Sequence, residues 1–159
     1  HLPFLVYLDS FRYALAGEES AGLSMYRWTT EKDGILAVLL LAEVMAKTHR
    51  DLFDIYKELT AKHGAPAYRR QDIAADEKVR ARMKALKAPA FANLKTLAGD
   101  SVTGVRDSDG VKIAMKDSWV LARPSGTEPI VKLYGESFRG EAHLRQVFAE
   151  SAELFGLSL

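Results

Sequence analysis

Three short stretches of this chain combine residue types that can grip an anion or a polyol. The first is Arg123-Pro124-Ser125-Gly126-Thr127-Glu128-Pro129. A guanidinium can set two parallel hydrogen bonds on phosphate oxygens. Ser125 and Thr127 add hydroxyl donors, and Gly126 lets the backbone turn so that successive N–H groups converge as an anion nest. Pro124 and Pro129 stiffen both ends. A strand is expected to resume at Ile130, so this is no P-loop, which would open a helix and end in Gly-Lys-Ser/Thr. On residue types alone the stretch reads equally as an ordinary Gly/Pro hairpin with a surface arginine, because hydroxyls and glycines populate turns.

The second stretch is Gly17-Glu18-Glu19-Ser20-Ala21-Gly22. Adjacent carboxylates beside a serine can accept and donate hydrogen bonds to vicinal hydroxyls; a solvated acidic turn has the same composition. The third is Glu31-Lys32-Asp33-Gly34. Lys32 falls just before or inside the first turn of an expected helix, where a cation opposes the helix dipole. That placement suits phosphate binding or proton transfer, although taken by itself it reads first as a solvated lysine.

The elements that must position these groups follow from periodicity. Residues 4–8 are apolar and undecided between strand and helix, and 11–16 suit a short strand. Residues 23–30 read as irregular loop. Thr30 and Asp33 have capping-box-like spacing ahead of a helix over 33–47. That helix is apolar nearly all round as far as Ala42, so burial on most sides is expected. Asp51 reads as the N-cap of a second helix, with Leu52, Ile55, Tyr56 and Leu59 on one face and Gly64 as its stop. The pattern changes near Gly64, which places a domain boundary there: residues 1–63 and 64–159.

In the second part, 68–73 suits a strand. Residues 76–87 suit a helix with Val79, Met83 and Leu86 on one face, stopped by Pro89. Strands follow at 102–106, 111–115, 119–123 and 130–136, with Asp107-Ser108-Asp109-Gly110 as a hairpin turn. A last helix over 141–155 buries Leu144, Val147, Phe148, Ser151, Ala152 and Phe155 and ends at Gly156. The fold class is α+β: a small, mostly antiparallel sheet with helices on one face, preceded by the end of an α/β domain.

Bulk composition narrows the function classes. The chain has 159 residues, 48% hydrophobic and 27% charged, with net charge +1. No global field attracts nucleic acid or an anionic membrane, so neither is an expected partner and any anion binding must be local. Cysteine is absent, which excludes disulfides, thiolate metal sites and a cysteine nucleophile, and suits a cytoplasmic setting. The longest apolar run, residues 35–42, is too short to span a bilayer.

Taken in order, the acidic loop, the Lys32 segment and the Arg123 loop resemble the α-D-phosphohexomutase superfamily, most of all phosphoglucomutases acting on α-D-glucose phosphate. Lys132-Leu133-Tyr134-Gly135-Glu136-Ser137-Phe138 extends the likeness. The resemblance implies a four-domain enzyme with its site in a central cleft. Residues 1–63 correspond to the end of the third domain and 64–159 to the fourth, whose family fold is TATA-box-binding-protein-like. It implies that Glu18, Glu19 and Ser20 hold sugar hydroxyls, and that Arg123, Ser125, Gly126 and Thr127 hold the phosphate not being transferred. Lys32 then stands near the reacting group as a proton donor or charge stabiliser.

The implied reaction interconverts glucose 1-phosphate and glucose 6-phosphate through glucose 1,6-bisphosphate. It needs a phosphoserine in the first domain and Mg2+ in an Asp-rich loop of the second. Neither a Ser-His-Asn-Pro type motif nor an Asp-Gly-Asp-x-Asp loop is present, so no metal ligand is assigned. The chain is expected to be a C-terminal portion, inactive alone, that works with missing N-terminal domains on a hexose phosphate. Phosphomannomutase, phosphoglucosamine mutase and a non-catalytic phosphate-binding module are the competing readings.

Overall fold

A computed structural model of the chain describes residues 15–17, 22–25, 28 and 31–158. The segment 4–8 and the Glu18, Glu19 and Ser20 loop lie outside the described residues. The chain divides into two compact units, His1–His63 and Gly64–Leu159. Among the described residues no helix is long and apolar enough to cross a membrane.

In the first unit, strands β1 (Leu15–Gly17) and β2 (Leu23–Met25) pair antiparallel, Leu15 opposite Met25. Residues 23–25 are therefore strand where the sequence reads as loop. Helix α1 runs Gly34–Thr48 and α2 Leu52–His63. Asp33 is itself the N-cap of α1, its carboxylate accepting from the Leu36 amide at 2.9 Å, and not the third helical residue of a box begun by Thr30. A short acidic side chain reaches the amide three residues on best from the cap position. Asp51 caps α2 as expected, accepting from the Phe53 amide at 2.7 Å.

The expected burial of α1 is wrong. Leu36 is its buried residue, while Ile35, Val38 and Leu39 stand 77%, 66% and 63% exposed. Among the described residues its neighbour is β2, three residues long, which meets it with few contacts. An apolar composition requires a partner surface before it becomes burial.

The second unit is a six-stranded antiparallel sheet. Its strands are β3 (Ala67–Ala74), β4 (Thr96–Leu97), β5 (Asp100–Arg106), β6 (Val111–Met115), β7 (Ser118–Pro124) and β8 (Ile130–Ser137), in the order β3-β8-β7-β6-β5-β4. Alternation is regular in β6, β7 and β8, while β5 carries a register shift between Val102 and Gly104. Val111, Ile113, Met115, Val120, Ala122, Val131 and Leu133 face one side and are buried. Helices α3 (Glu77–Ala85) and α4 (Glu141–Phe155) pack there, with Met83, Leu144, Val147, Phe148 and Phe155 in one core. Gly135 makes the approach of α4 possible: a Cβ there would lie 2.5 Å from the Phe148 ring.

Two elements were not expected. A 3-10 turn spans Ala88–Phe91, and β4 forms an edge. Helix α3 stops at Ala85, two residues before its expected end: Leu86 is already extended, and Lys87 is the extended N-cap of the 3-10 turn that holds Pro89.

Candidate phosphate site

The sheet's second face is half-buried and carries the groups that matter. Trp119, Leu121 and Arg123 alternate outward on β7, and Lys132 and Tyr134 on β8. Register puts Arg123 directly opposite Lys132, and Lys132 opposite Asp72 of β3. Two cations in facing positions repel each other and destabilise a sheet. An anion seated between them would reverse the sign of that interaction.

The loop between β7 and β8 closes over this pair. Arg123, Pro124, Ser125, Gly126, Thr127 and Lys132 line a cleft of about 210 Å3. At about 30 Å3 per water, that is room for a tetrahedral anion and several waters. Ser125 is buried, and its Oγ accepts from the amides of Thr127 at 3.4 Å and Glu128 at 3.1 Å. These two amides therefore point at Ser125 and do not form an open nest. The Ser125 hydroxyl proton remains available for an incoming acceptor, and the exposed Thr127 adds another. Gly126 is not in the left-handed region, and a Cβ there would meet nothing within 4 Å. Its contribution is a bare rim beside the cleft, not backbone freedom.

The loop is tied from below. Ala75 donates its amide to the Pro129 carbonyl at 2.9 Å, and Ser125 donates to the Ile130 carbonyl at 3.0 Å. Arg80 on α3 reaches the Ser125 carbonyl with Nη1 at 3.5 Å, while its buried Nε has no partner among the described residues. Arg123 Nε lies 3.2 Å from Asp109 Oδ1, and Lys132 Nζ lies 3.3 Å from Glu128 Oε2.

Sequence reasoning placed no role on Lys132, Arg80 or Asp109. Lys132 had a usable signal, a basic residue on the same alternation as Arg123 in the next strand, but the facing register depends on the loop's closure. Arg80 and Asp109 approach through tertiary packing and left no local pattern.

Lys32 is exposed and sits immediately before the Asp33 cap. Its neighbours are clamped to β2: the Asp33 amide donates to the Leu23 carbonyl at 2.8 Å, and Ser24 Oγ donates to the Glu31 carbonyl at 3.2 Å. Asp33 also accepts from the Trp28 indole at 3.3 Å. The Leu36 amide, then Trp28, hold its carboxyl below the ordinary aspartate value. Glu18, Glu19 and Ser20, expected to bind sugar hydroxyls, lie outside the described residues.

Two other clusters are spent on structure. Ser137 Oγ and His143 Nδ1 lie 2.7 Å apart, as a nucleophile and base would. Ser137 is fully buried, and the His143 Nε2 edge meets the Ala98 carbonyl at 3.0 Å, so the pair cross-links the core where no substrate reaches. Asp107 and Asp109 do not fit a magnesium site: Asp107 accepts from the Ala88 amide at 2.9 Å and Asp109 faces a guanidinium. Among the described residues no group of three or more acidic or imidazole side chains converges on a cation position.

Two family profiles match this chain. One, described as phosphoglucomutase/phosphomannomutase, alpha/beta/alpha domain III, covers residues 4–63, and the other, the C-terminal domain of the same family, covers residues 68–154. The chain belongs to the phosphoglucomutase/phosphomannomutase family. It is similar to a phosphoglucomutase of Komagataeibacter xylinus, 39% identical over 86% of this chain and 27% of that protein. A phosphoglucomutase/phosphomannomutase of Thermococcus kodakarensis is 28% identical over 77% of this chain and 24% of its own length. The chain thus spans about a quarter of these relatives. Among solved structures, a putative phosphomannomutase from Thermus thermophilus superposes with TM-score 0.66 at 29% identity, over 96% of this chain and 29% of that one. A Burkholderia thailandensis family member matches in fold, with TM-score 0.65 at 20% identity, over 98% of this chain and 32% of that one. The antiparallel α+β unit is the C-terminal domain of this mutase family.

Proposed function

We propose that this chain is the substrate-gripping C-terminal portion of a phosphoglucomutase that interconverts glucose 1-phosphate and glucose 6-phosphate. The observation that carries the reading is the Arg123 and Lys132 pair, facing each other beneath the Ser125 and Thr127 hydroxyls at one cleft. Arg123 forks onto two phosphate oxygens, Lys132 neutralises a third, and Ser125 and Thr127 donate at the rim. Phosphoryl transfer depends mainly on positioning and charge stabilisation, and these residues hold the phosphate that stays while the other reacts. Lys32, with Glu18, Glu19 and Ser20, would meet the sugar and the reacting end. Mg2+ would supply charge neutralisation at the transferring phosphate from ligands outside this chain, and glucose 1,6-bisphosphate would be the intermediate. The similar Komagataeibacter protein, named a phosphoglucomutase, favours glucose phosphate over mannose or glucosamine phosphate.

The test is an NMR titration of the 159-residue chain with glucose 6-phosphate, with and without Mg2+. Amide shifts should concentrate at Arg123, Ser125, Gly126, Thr127 and Lys132, vanish in Arg123→Ala, and occur without turnover. Turnover by the chain alone would refute the fragment reading, and shifts scattered elsewhere would refute the site.

A further inference from the structure

We propose that Arg80 is a positioning residue for the phosphate loop: from the helix side of the sheet it draws in the Ser125 carbonyl, which turns the Gly126 N–H toward the cleft as the loop's backbone donor. The proposal rests on the phosphate-loop reading above and deepens it.

The loop's amides can be accounted for one by one. Ser125 donates to the Ile130 carbonyl at 3.0 Å. Thr127 and Glu128 donate to Ser125 Oγ at 3.4 and 3.1 Å, and Pro129 has no N–H. Gly126 is left. Its N–H has no acceptor among the described residues, and Gly126 lines the cleft together with Arg123 and Lys132.

What aims that N–H is the other end of the same peptide. In a planar trans peptide the C=O and the following N–H point in opposite directions. The Ser125 carbonyl points to Arg80, whose Nη1 donates to it at 3.5 Å. At that length the bond is weak, but the partner is a full cation in a partly buried place, where its pull on the carbonyl dipole is little screened. Arg80 sits on α3, which packs on the buried face of the sheet, while Arg123 and Lys132 alternate onto the opposite face. A carbonyl turned to α3 therefore turns the Gly126 N–H toward the two cations.

Arg80 is itself well mounted. Asp76 caps α3 through the Val79 amide at 2.8 Å, and the nearby Met83 is buried. Ala75, just ahead of the cap, donates to the Pro129 carbonyl at 2.9 Å. One segment thus holds the loop at both ends, Ser125 and Pro129. Arg80 Nε is buried without a partner, and no carboxylate pairs with Arg80 among the described residues. A partly buried cation without counter-charge is costly, and an anion across the peptide would lower that cost.

The experiment titrates the whole chain with inorganic phosphate by NMR, following the dissociation constant and the Gly126 amide, with urea unfolding in parallel. In the wild type the Gly126 amide proton should move downfield as phosphate binds. Arg80→Met keeps the aliphatic stem and removes the donor and the charge. It should weaken binding about two- to tenfold, the scale of one hydrogen bond, and remove most of the Gly126 shift. Arg80→Lys keeps a donor and the charge and should restore much of both. An arginine that only supports the fold would lower the urea midpoint in Arg80→Met yet leave affinity and the Gly126 shift as in the wild type, and that result would overturn the proposal. Should Arg80→Met not fold, the wild-type amide decides: a downfield move supports the proposal and no response overturns it. If Arg123→Ala leaves phosphate affinity unaltered, the phosphate-loop reading itself fails. If Arg123→Ala abolishes binding while Arg80→Met does not weaken it, the Arg80 proposal alone fails.

Discussion

Helices α1 and α4 are each fifteen residues long and live in opposite surroundings. Helix α4 lays Leu144, Val147, Phe148 and Phe155 into a sheet core where Ile113, Val120, Val131 and Leu133 are fully buried. Helix α1 is the more apolar of the two in sequence, yet it leaves Ile35, Val38 and Leu39 mostly exposed. The difference lies in the partner. Six strands offer α4 a continuous apolar face, whereas among the described residues α1 meets the three-residue strand β2. Hydrophobic stabilisation follows area removed from water, not composition. The phosphate loop is mounted on the well-buried unit, and Lys32 on the thinly supported one.

The largest effect should come from the contrast in burial. Leu133→Ala on β8 should destabilise the second unit by roughly 2–5 kcal/mol, read by urea unfolding. Leu39→Ala, 63% exposed on α1, should change stability by no more than about 0.5 kcal/mol. Equal costs would break the comparison.

Next is the polar link inside the second unit. Asp100 is buried, and its Oδ2 accepts from Ser118 Oγ at 2.7 Å and the Asp117 amide at 3.0 Å. Burial pushes its carboxyl up, but those hydrogen bonds, the Ser101 amide and the nearby His143 together hold it below the ordinary value. A depressed carboxyl contributes stability that is present above its unfolded value, about 3.9, and is lost as pH falls through the folded one. Asp100→Asn should cost roughly 1–3 kcal/mol at neutral pH. It should also flatten the loss of stability below about pH 4. An unchanged acid limb would remove Asp100 from the account.

The smallest effect belongs to the cap of α1. Asp33→Ala removes the acceptor for Leu36 and for the Trp28 indole. Leu36 amide exchange should quicken and the helix should fray, with the second unit unaffected. The Asp33 carboxyl is also held low, so wild-type α1 should fray as acid protonates it while the variant does not respond. Coupled loss in both units would mean they share stability.

Much of the second unit was legible because its signals are local. The spacing of Leu144, Val147, Phe148, Ser151, Ala152 and Phe155 gave α4, and alternation gave β6, β7 and β8. The missed pieces lack periodicity: β4 has two residues, and β2 has three whose pairing with β1 is set across an intervening loop. The site divides the same way. Arg123, Ser125, Gly126 and Thr127 share one cleft because they share one loop. Lys132 joins through register, Asp109 through a glycine that permits close approach, and Arg80 through helix packing. Charge and hydroxyl chemistry can be read in a string of letters; distance between strands cannot.

The strand order has a consequence for how the protein is made. Strand β3 is the first of the sheet to leave the ribosome, and its neighbour β8 is the last, Ala67 pairing with Ser137. The meander from β4 to β7 can form as it emerges, since each strand pairs with the one before it. Strand β3 must wait, its edge unpaired, while the intervening chain is synthesised at about 5–20 residues per second. A stall or stop codon within β8 would leave both β3 and β7 as open edges, the condition that favours pairing with other chains. The same event would strand the Arg123 loop without its second wall, so a nascent chain cannot hold phosphate until its sheet is complete.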